Sequence, residues 1–254
     1  IGGSQDDQLS SITICQDRGY LLVGHSSSST SGDRTQNTFG LLDLWIVKLD
    51  SIGKIIWNKV YGGSGVERAE SILTTKDNGF IICGASSSGI SGNKSSASKG
   101  GNDYWIIKID SIGNLVWDKS FGGSQDEYPS KIIQSNDGGY IIVGASKSSI
   151  SGDKSQPQKG DNDYWIVKID SLGNKIWDRT IGGLYTDRCL TILPCTDGGY
   201  LLGGESGSTI SGDKSQNPKG KEDFWLVKID SIGNILWDKT IGGSENESLF
   251  VILN

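Results

Sequence analysis

The segment WIVKLD begins at Trp45, WIIKID at Trp105, WIVKID at Trp165 and WLVKID at Trp225, so one motif returns every 60 residues without an insertion. A second tryptophan keeps the interval at Trp57, Trp117, Trp177 and Trp237, and a Gly-Gly pair does so at Gly2, Gly62, Gly122, Gly182 and Gly242. A fixed period of this length marks a chain built from stacked supersecondary units. The units run 1–60, 61–120, 121–180 and 181–240 within a single repeat domain. Residues 241–254 restart the pattern, with the first strand of a fifth unit expected at 248–253.

The third unit shows the internal plan. Strand A, SKIIQS, ends at the turn Asn136-Asp137-Gly138-Gly139. Asp-Gly between apolar runs predicts a two-residue hairpin turn with positive φ at both central positions. Strand B is YIIVGAS from Tyr140, followed by a polar stretch over 147–162 and strand C, DYWIVKID, to Asp170. In the turn Ser171-Leu172-Gly173 the glycine sits where a three-residue loop needs a left-handed residue. Strand D, NKIWDRTI, then leads to Gly182. Strands are expected at about 10–15, 20–26, 43–50 and 54–60 and at the same positions in each later unit, with no helix.

Placing Asp170 opposite Asn174 sets Val167 against Trp177, so Trp165, Val167, Ile169 and Trp177 share one face. Tyr164, Ile166 and Ile176 lie on the other. Both faces are largely apolar, whereas a sheet with one wet face would alternate cleanly. Four-stranded antiparallel sheets buried on both sides are sandwiched between sheets of their own kind. The fold class that follows is all-β: a β-propeller, or a portion of one, built from 60-residue blades. A surplus strand A favours a longer parent with five or more blades.

Composition closes off several classes. The chain has 254 residues, 35% of them hydrophobic, with 37 glycines, 8 tryptophans and a net charge of −6. Its basic residues are spread evenly, so it lacks the patch that phosphate-backbone binding needs, and nucleic acid is not an expected partner. No apolar run reaches the ~20 residues of a membrane span. The opening Ile1-Gly2-Gly3 and the lack of Met fit a processed or partial chain. Cys189 and Cys195, six residues apart on one strand, are too far apart to bridge. All four cysteines read as small apolar fillers.

At DGGYIIVGAS, NDYWIVKIDSLGN and IWDRTIGG the chain resembles the secreted DGGY/DYWVVKLD repeat proteins of Bacteroidota-type bacteria, relatives of the bacterial β-propeller repeat families. The resemblance covers all 254 residues. It implies an extracellular or cell-surface location and carries no enzymatic motif to transfer.

The residues themselves offer little catalysis. His25 is the one histidine, and its counterparts are Ala85, Ala145 and Glu205, so no serine has an activating base in reach. No C-x-x-C pair or Walker A motif is present. The acids follow the repeat: Asp7, Glu67, Glu127, Asp187 and Glu247 before strand A, Asp43, Asp103, Asp163 and Asp223 opening strand C, and Asp33, Asn93, Asp153 and Asp213 within S-G-(D/N)-(K/R) loops. Carboxylates at turns commonly accept backbone N–H bonds. Calcium is the one ion they could suit, although no EF-hand spacing supports it. Lys48, Lys108, Lys168 and Lys228 lie within reach of Asn58, Asp118, Asp178 and Asp238, as rim ion pairs.

The expected function is a non-enzymatic surface module for adhesion, ligand binding or spacing. A polysaccharide hydrolase or lyase using loop carboxylates, and a purely structural element of a surface assembly, are the alternatives. The B–C loops (27–42, 87–102, 147–162, 207–222) and the D-to-A connectors share one rim. A glycan or surface protein would meet it there, with Asp33, Asp153 and Asp213 and the connector acids Asp7, Glu67, Glu127 and Asp187 facing it.

Overall fold

The computed structural model describes residues 1–247, and the strand expected at 248–253 lies outside the described residues. Four blades follow in order. Blade 1 comprises β1 (Asp7–Ile14), β2 (Tyr20–Ser26), β3 (Asp43–Leu49) and β4 (Ile55–Tyr61). Blade 2 comprises β5 (Glu67–Thr74), β6 (Phe80–Ser86), β7 (Asp103–Ile109) and β8 (Leu115–Phe121). Blade 3 has β9 (Glu127–Gln134), β10 (Tyr140–Ser146), β11 (Asp163–Ile169) and β12 (Lys175–Ile181). Blade 4 has β13 (Asp187–Pro194), β14 (Tyr200–Ser206), β15 (Asp223–Ile229) and β16 (Ile235–Ile241). Each blade is a four-stranded antiparallel meander, and the described residues contain no helix. The chain is thus all-β and built from propeller-type blades.

The blades group into two compact units, Ile1–Phe121 and Gly122 onward. Within the first, Leu21, Val23, Leu44 and Ile46 of blade 1 pack against Ile82, Trp105, Ile107 and Ile109 of blade 2. The second repeats the arrangement: Ile141, Val143, Tyr164 and Ile166 meet Leu202, Trp225, Val227 and Ile229. Within each unit the tryptophan face of the second blade therefore buries the isoleucine face of the first. Apolar residues on both sides of each strand are what this stacking requires.

Strand A begins three residues earlier than the periodicity predicts, at the acids Asp7, Glu67, Glu127 and Asp187 themselves. A bulge lets it continue, with register shifts at Leu9/Ser11, Ala69/Ser71 and Cys189/Thr191.

The C–D register is corrected by a second bulge. Ile169 pairs Lys175 as expected, but Lys168 then pairs Trp177 and Val167 pairs Asp178. Ile176 is the extra residue, so Trp177 moves to the face of Lys168 and Asp178 joins the face of Trp165. Trp57, on that other face, lies 3.1 Å from where a Cβ on Gly113 would stand, beneath the C–D turn of blade 2. Gly113 has φ 77°, and a side chain there would be both strained and obstructed. The second tryptophan is thus an inter-blade contact within each unit, Trp57 at Gly113 and Trp177 at Gly233; it is half-buried in blades 1 to 3, and Trp237 is 48% exposed.

The predicted lysine pairs also change. Lys48, Lys108, Lys168 and Lys228 bond to Asp17, Asp77, Asp137 and Asp197 of the A–B turns at 2.7–2.9 Å. Those aspartates are more than half exposed, so each pair contributes under about 1 kcal/mol. The bulge has carried Asn58, Asp118, Asp178 and Asp238 to the opposite face.

The A–B turn differs from the two-residue form as well. Ser135 accepts from Gly138 N–H and donates to Gly139 O, and Gly138 alone takes positive φ, at 87°. Arg18 holds the same left-handed position in blade 1 with φ 65°. Arg18→Gly is expected to stabilise the protein by about 0.5–1 kcal/mol, visible as a higher urea midpoint at unchanged slope. No gain would mean that the turn carries no such strain. No disulfide joins the described cysteines; Cys15, Cys83 and Cys189 are buried and Cys195 is half-buried.

Candidate functional site

The B–C loop rim is held down by a polar box that recurs in every blade. Strands A, B and C start or end there on one cross-strand row, Glu127–Ser146–Asp163 in blade 3 and Glu67–Ser86–Asp103 in blade 2. The strand-A acid reaches back to the glycine pair: Glu67 accepts from Gly63 N–H at 2.9 Å, Glu127 from Gly123 at 2.7 Å and Asp187 from Gly183 at 2.7 Å. Glu67 also accepts from the hydroxyls of Ser86 and Ser88, at 2.8 and 2.5 Å. The strand-C acid takes the loop from its other end, Asp43 accepting from Phe39 N–H at 2.7 Å and Asp223 from Lys219 at 2.6 Å.

A cation closes the box from above. Arg34, Lys94, Lys154 and Lys214 of the S-G-(D/N)-(K/R) segments are all but fully buried. Lys154 donates to Thr180 Oγ1 at 2.7 Å and Lys214 to Thr240 Oγ1 at 2.6 Å. Lys94, Lys154 and Lys214 also stand 5.1–5.4 Å over the rings of Trp105, Trp165 and Trp225. Burial pulls the ammonium groups of Lys94 and Lys154 down to about 8, against the pull of neighbouring carboxylates. The indole N–H groups of those tryptophans donate to Asp118, Asp178 and Asp238 at 2.9–3.1 Å, and those carboxylates accept loop N–H groups of Ser95, Ser155 and Ser215.

The glycine pair is fixed by this crowding. A Cβ on Gly62 would stand 1.9 Å from Asp43 Oδ1 and 2.7 Å from Glu67 Oε2. Two carboxylates from successive blades thus flank one glycine. Burial, with Glu67 adding repulsion, pushes the Asp43 carboxyl up to about 6, and Asp163 is raised to about 6 in the same way beside Asp187.

The residues expected to face a partner are therefore placed as follows. Glu67, Glu127 and Asp187 are fully buried inside the box and Asp7 is half-buried. Asp33, Asp153 and Asp213 are only partly covered, but each accepts from the first glycine of its own unit, Gly2, Gly122 and Gly182, at 3.0–3.1 Å. Their own N–H groups return a bond to the same glycine carbonyls. Asp213 also pairs with Lys159. These carboxylates anchor loops and do not converge on a point where calcium would sit.

What the rim shows to solvent is different: Phe39 and Leu41 in the first B–C loop, Ile90, Ile150 and Ile210 at the later loop tips, and Leu184 and Tyr185 in one connector. Sequence reasoning overlooked the buried cations, although a Lys or Arg at that position in all four copies was the available signal.

No protein-family model matches the chain. A curated relative, Regulatory protein FlaEY of Caulobacter vibrioides, is 24% identical over 160 residues, which cover 59% of this chain and 17% of that protein. Among solved structures, a protein of unknown function from Bacteroides caccae aligns with 94% of this chain and 83% of its own at 12% identity, with a TM-score of 0.38.

Proposed function

We propose that the chain is a non-enzymatic binding module of the cell exterior whose B–C loop rim contacts a glycan or a surface protein. The observation that carries this reading is the division of labour at the rim. The buried box repeats from blade to blade, and so does an exposed isoleucine in three loops (Ile90, Ile150, Ile210), while the exposed residues at four other rim positions differ. Leu184-Tyr185 stands where other copies have Ser64-Gly65 and Ser124-Gln125, and Phe39 and Leu41 where the third copy has Lys159 and Asp161. Variable side chains on a rigid, pre-organised edge suit recognition, because altering them costs the scaffold little. Glu67, Glu127, Asp187, Asp43 and Asp163 are buried, and each accepts a backbone N–H group, which favours binding over loop-carboxylate hydrolysis.

Replacing whole loops would remove Lys154 and Lys214 and unfold the rim, so the test exchanges tips alone. A variant carrying Phe39→Lys, Leu41→Asp, Leu184→Ser and Tyr185→Gln takes residues that the third copy already uses at those positions. It is expected to keep its melting temperature and to lose retention on an array of glycans and purified surface proteins. Undiminished retention by the folded variant would place the contact surface elsewhere.

A further inference from the structure

We propose that a cleft at this rim, between blades 1 and 2, binds a carboxylate-bearing saccharide of the uronate class through Arg68, beside His25. The inference rests on the rim-binding reading and gives it a ligand chemistry. The cleft has a volume of about 480 Å³ and is lined by Asp6, Asp7, Gln8, His25, Leu42 and Arg68. That volume falls in the range of small-molecule sites, ~300–1,000 Å³.

The cleft breaks the repeat. Position 25 is His, Ala, Ala and Glu through the four copies, and position 8 is Gln, Arg, Tyr and Arg. Blades fold without a particular residue at either place, so neither His25 nor Arg68 is demanded by the scaffold.

Blade 4 supplies an internal control for Arg68. There Arg188 pairs across the strands with Glu205 and bonds to it at 2.9 Å. Arg68 has Ala85 as its cross-strand neighbour. It makes no hydrogen bond or ion pair among the described residues, including with Glu70 on its own strand. The same position thus holds a neutralised guanidinium in one blade and an open one in another.

His25 completes the pattern. Its Nε2 lies 3.1 Å from Gln8 Oε1, and its Nδ1 is buried without a partner. Burial and the neighbouring Arg68 charge hold the imidazole below its usual pKa. A neutral ring donating from Nε2 to Gln8 leaves Nδ1 as an acceptor aimed at nothing in the protein. An open guanidinium fork takes a carboxylate in a bidentate grip, and the Asp6 carboxylate takes sugar hydroxyls, with the imidazole as the wall beside them. Asp7 is already engaged by Gly3 N–H, at 2.6 Å.

Because His25 is the one histidine, its ring resonances report on the cleft alone. Titrating the intact chain with glucuronate is expected to shift them saturably and to raise the His25 pKa, since a bound carboxylate offsets the Arg68 charge that depresses it. Glucose at equal concentration should leave that pKa unchanged. Arg68→Ala should raise the pKa in the absence of sugar and weaken glucuronate at least about tenfold, the scale of a charged hydrogen-bonded contact. An unresponsive ring, or an equal response to glucose or in Arg68→Ala, would overturn the proposal. The tip-exchanged variant keeps Arg68 and His25, so glucuronate failure alongside tip-dependent array binding would defeat the uronate cleft and leave the rim reading standing.

Discussion

Trp105→Ala is expected to cost about 3–5 kcal/mol, as for other fully buried aromatics, while Trp57→Ala should cost only about 1–2 kcal/mol. Trp105 is fully enclosed in the core between blades 1 and 2, and its indole N–H donates to Asp118 at 2.9 Å. Removing it opens a cavity, takes one of several donors from Asp118 and removes the ring beneath the Lys94 ammonium. Trp57 is half-buried at the edge of the same cluster and beneath the turn at Gly113, so less of it is withdrawn from water. Urea denaturation of the two variants measures the difference. Equal losses would mean that Trp57 is as fully enclosed as Trp105.

The second large effect concerns the polar box. Glu67→Ala is expected to destabilise by about 3–5 kcal/mol, the range for breaking a buried charged pair. The change strands Gly63 N–H and two serine hydroxyls and removes one of three carboxylates that support the Lys94 charge, after Asp118 and Asp103. Glu67→Gln, which keeps the shape and one acceptor, should lose about 1–3 kcal/mol. Asp7→Ala is the comparison, because Asp7 is half-buried and has fewer neighbours to abandon. Its cost should be clearly smaller. Added salt should not narrow the gap, since buried pairs are weakly screened. A Glu67→Ala variant as stable as Asp7→Ala would show that the box is wetter than its burial indicates.

Strand identities, the left-handed glycine at the C–D turn and the packing of strands B and C were legible, because alternation, glycine placement and a 60-residue period are local signals. The two bulges were not. Each inserts one residue without altering composition, yet everything beyond it changes face. That is why Trp177 left the core face of Trp165, and why Lys168 found Asp137 and not Asp178.

The site divides in the same way. Sequence alone determined that this chain stacks four-stranded sheets, since strands B and C carry apolar residues on both sides and need cover on both faces. For the repeated acids it offered two roles, acceptors of turn N–H groups and residues facing a partner, because both place a carboxylate beside a loop. Only the tertiary structure decided that Glu67, Glu127 and Asp187 are sealed inside with a lysine over them. It likewise brought His25 of one blade beside Arg68 of the next. Their neighbourhood depends on blade stacking, and stacking joins residues far apart in the chain that no local pattern relates.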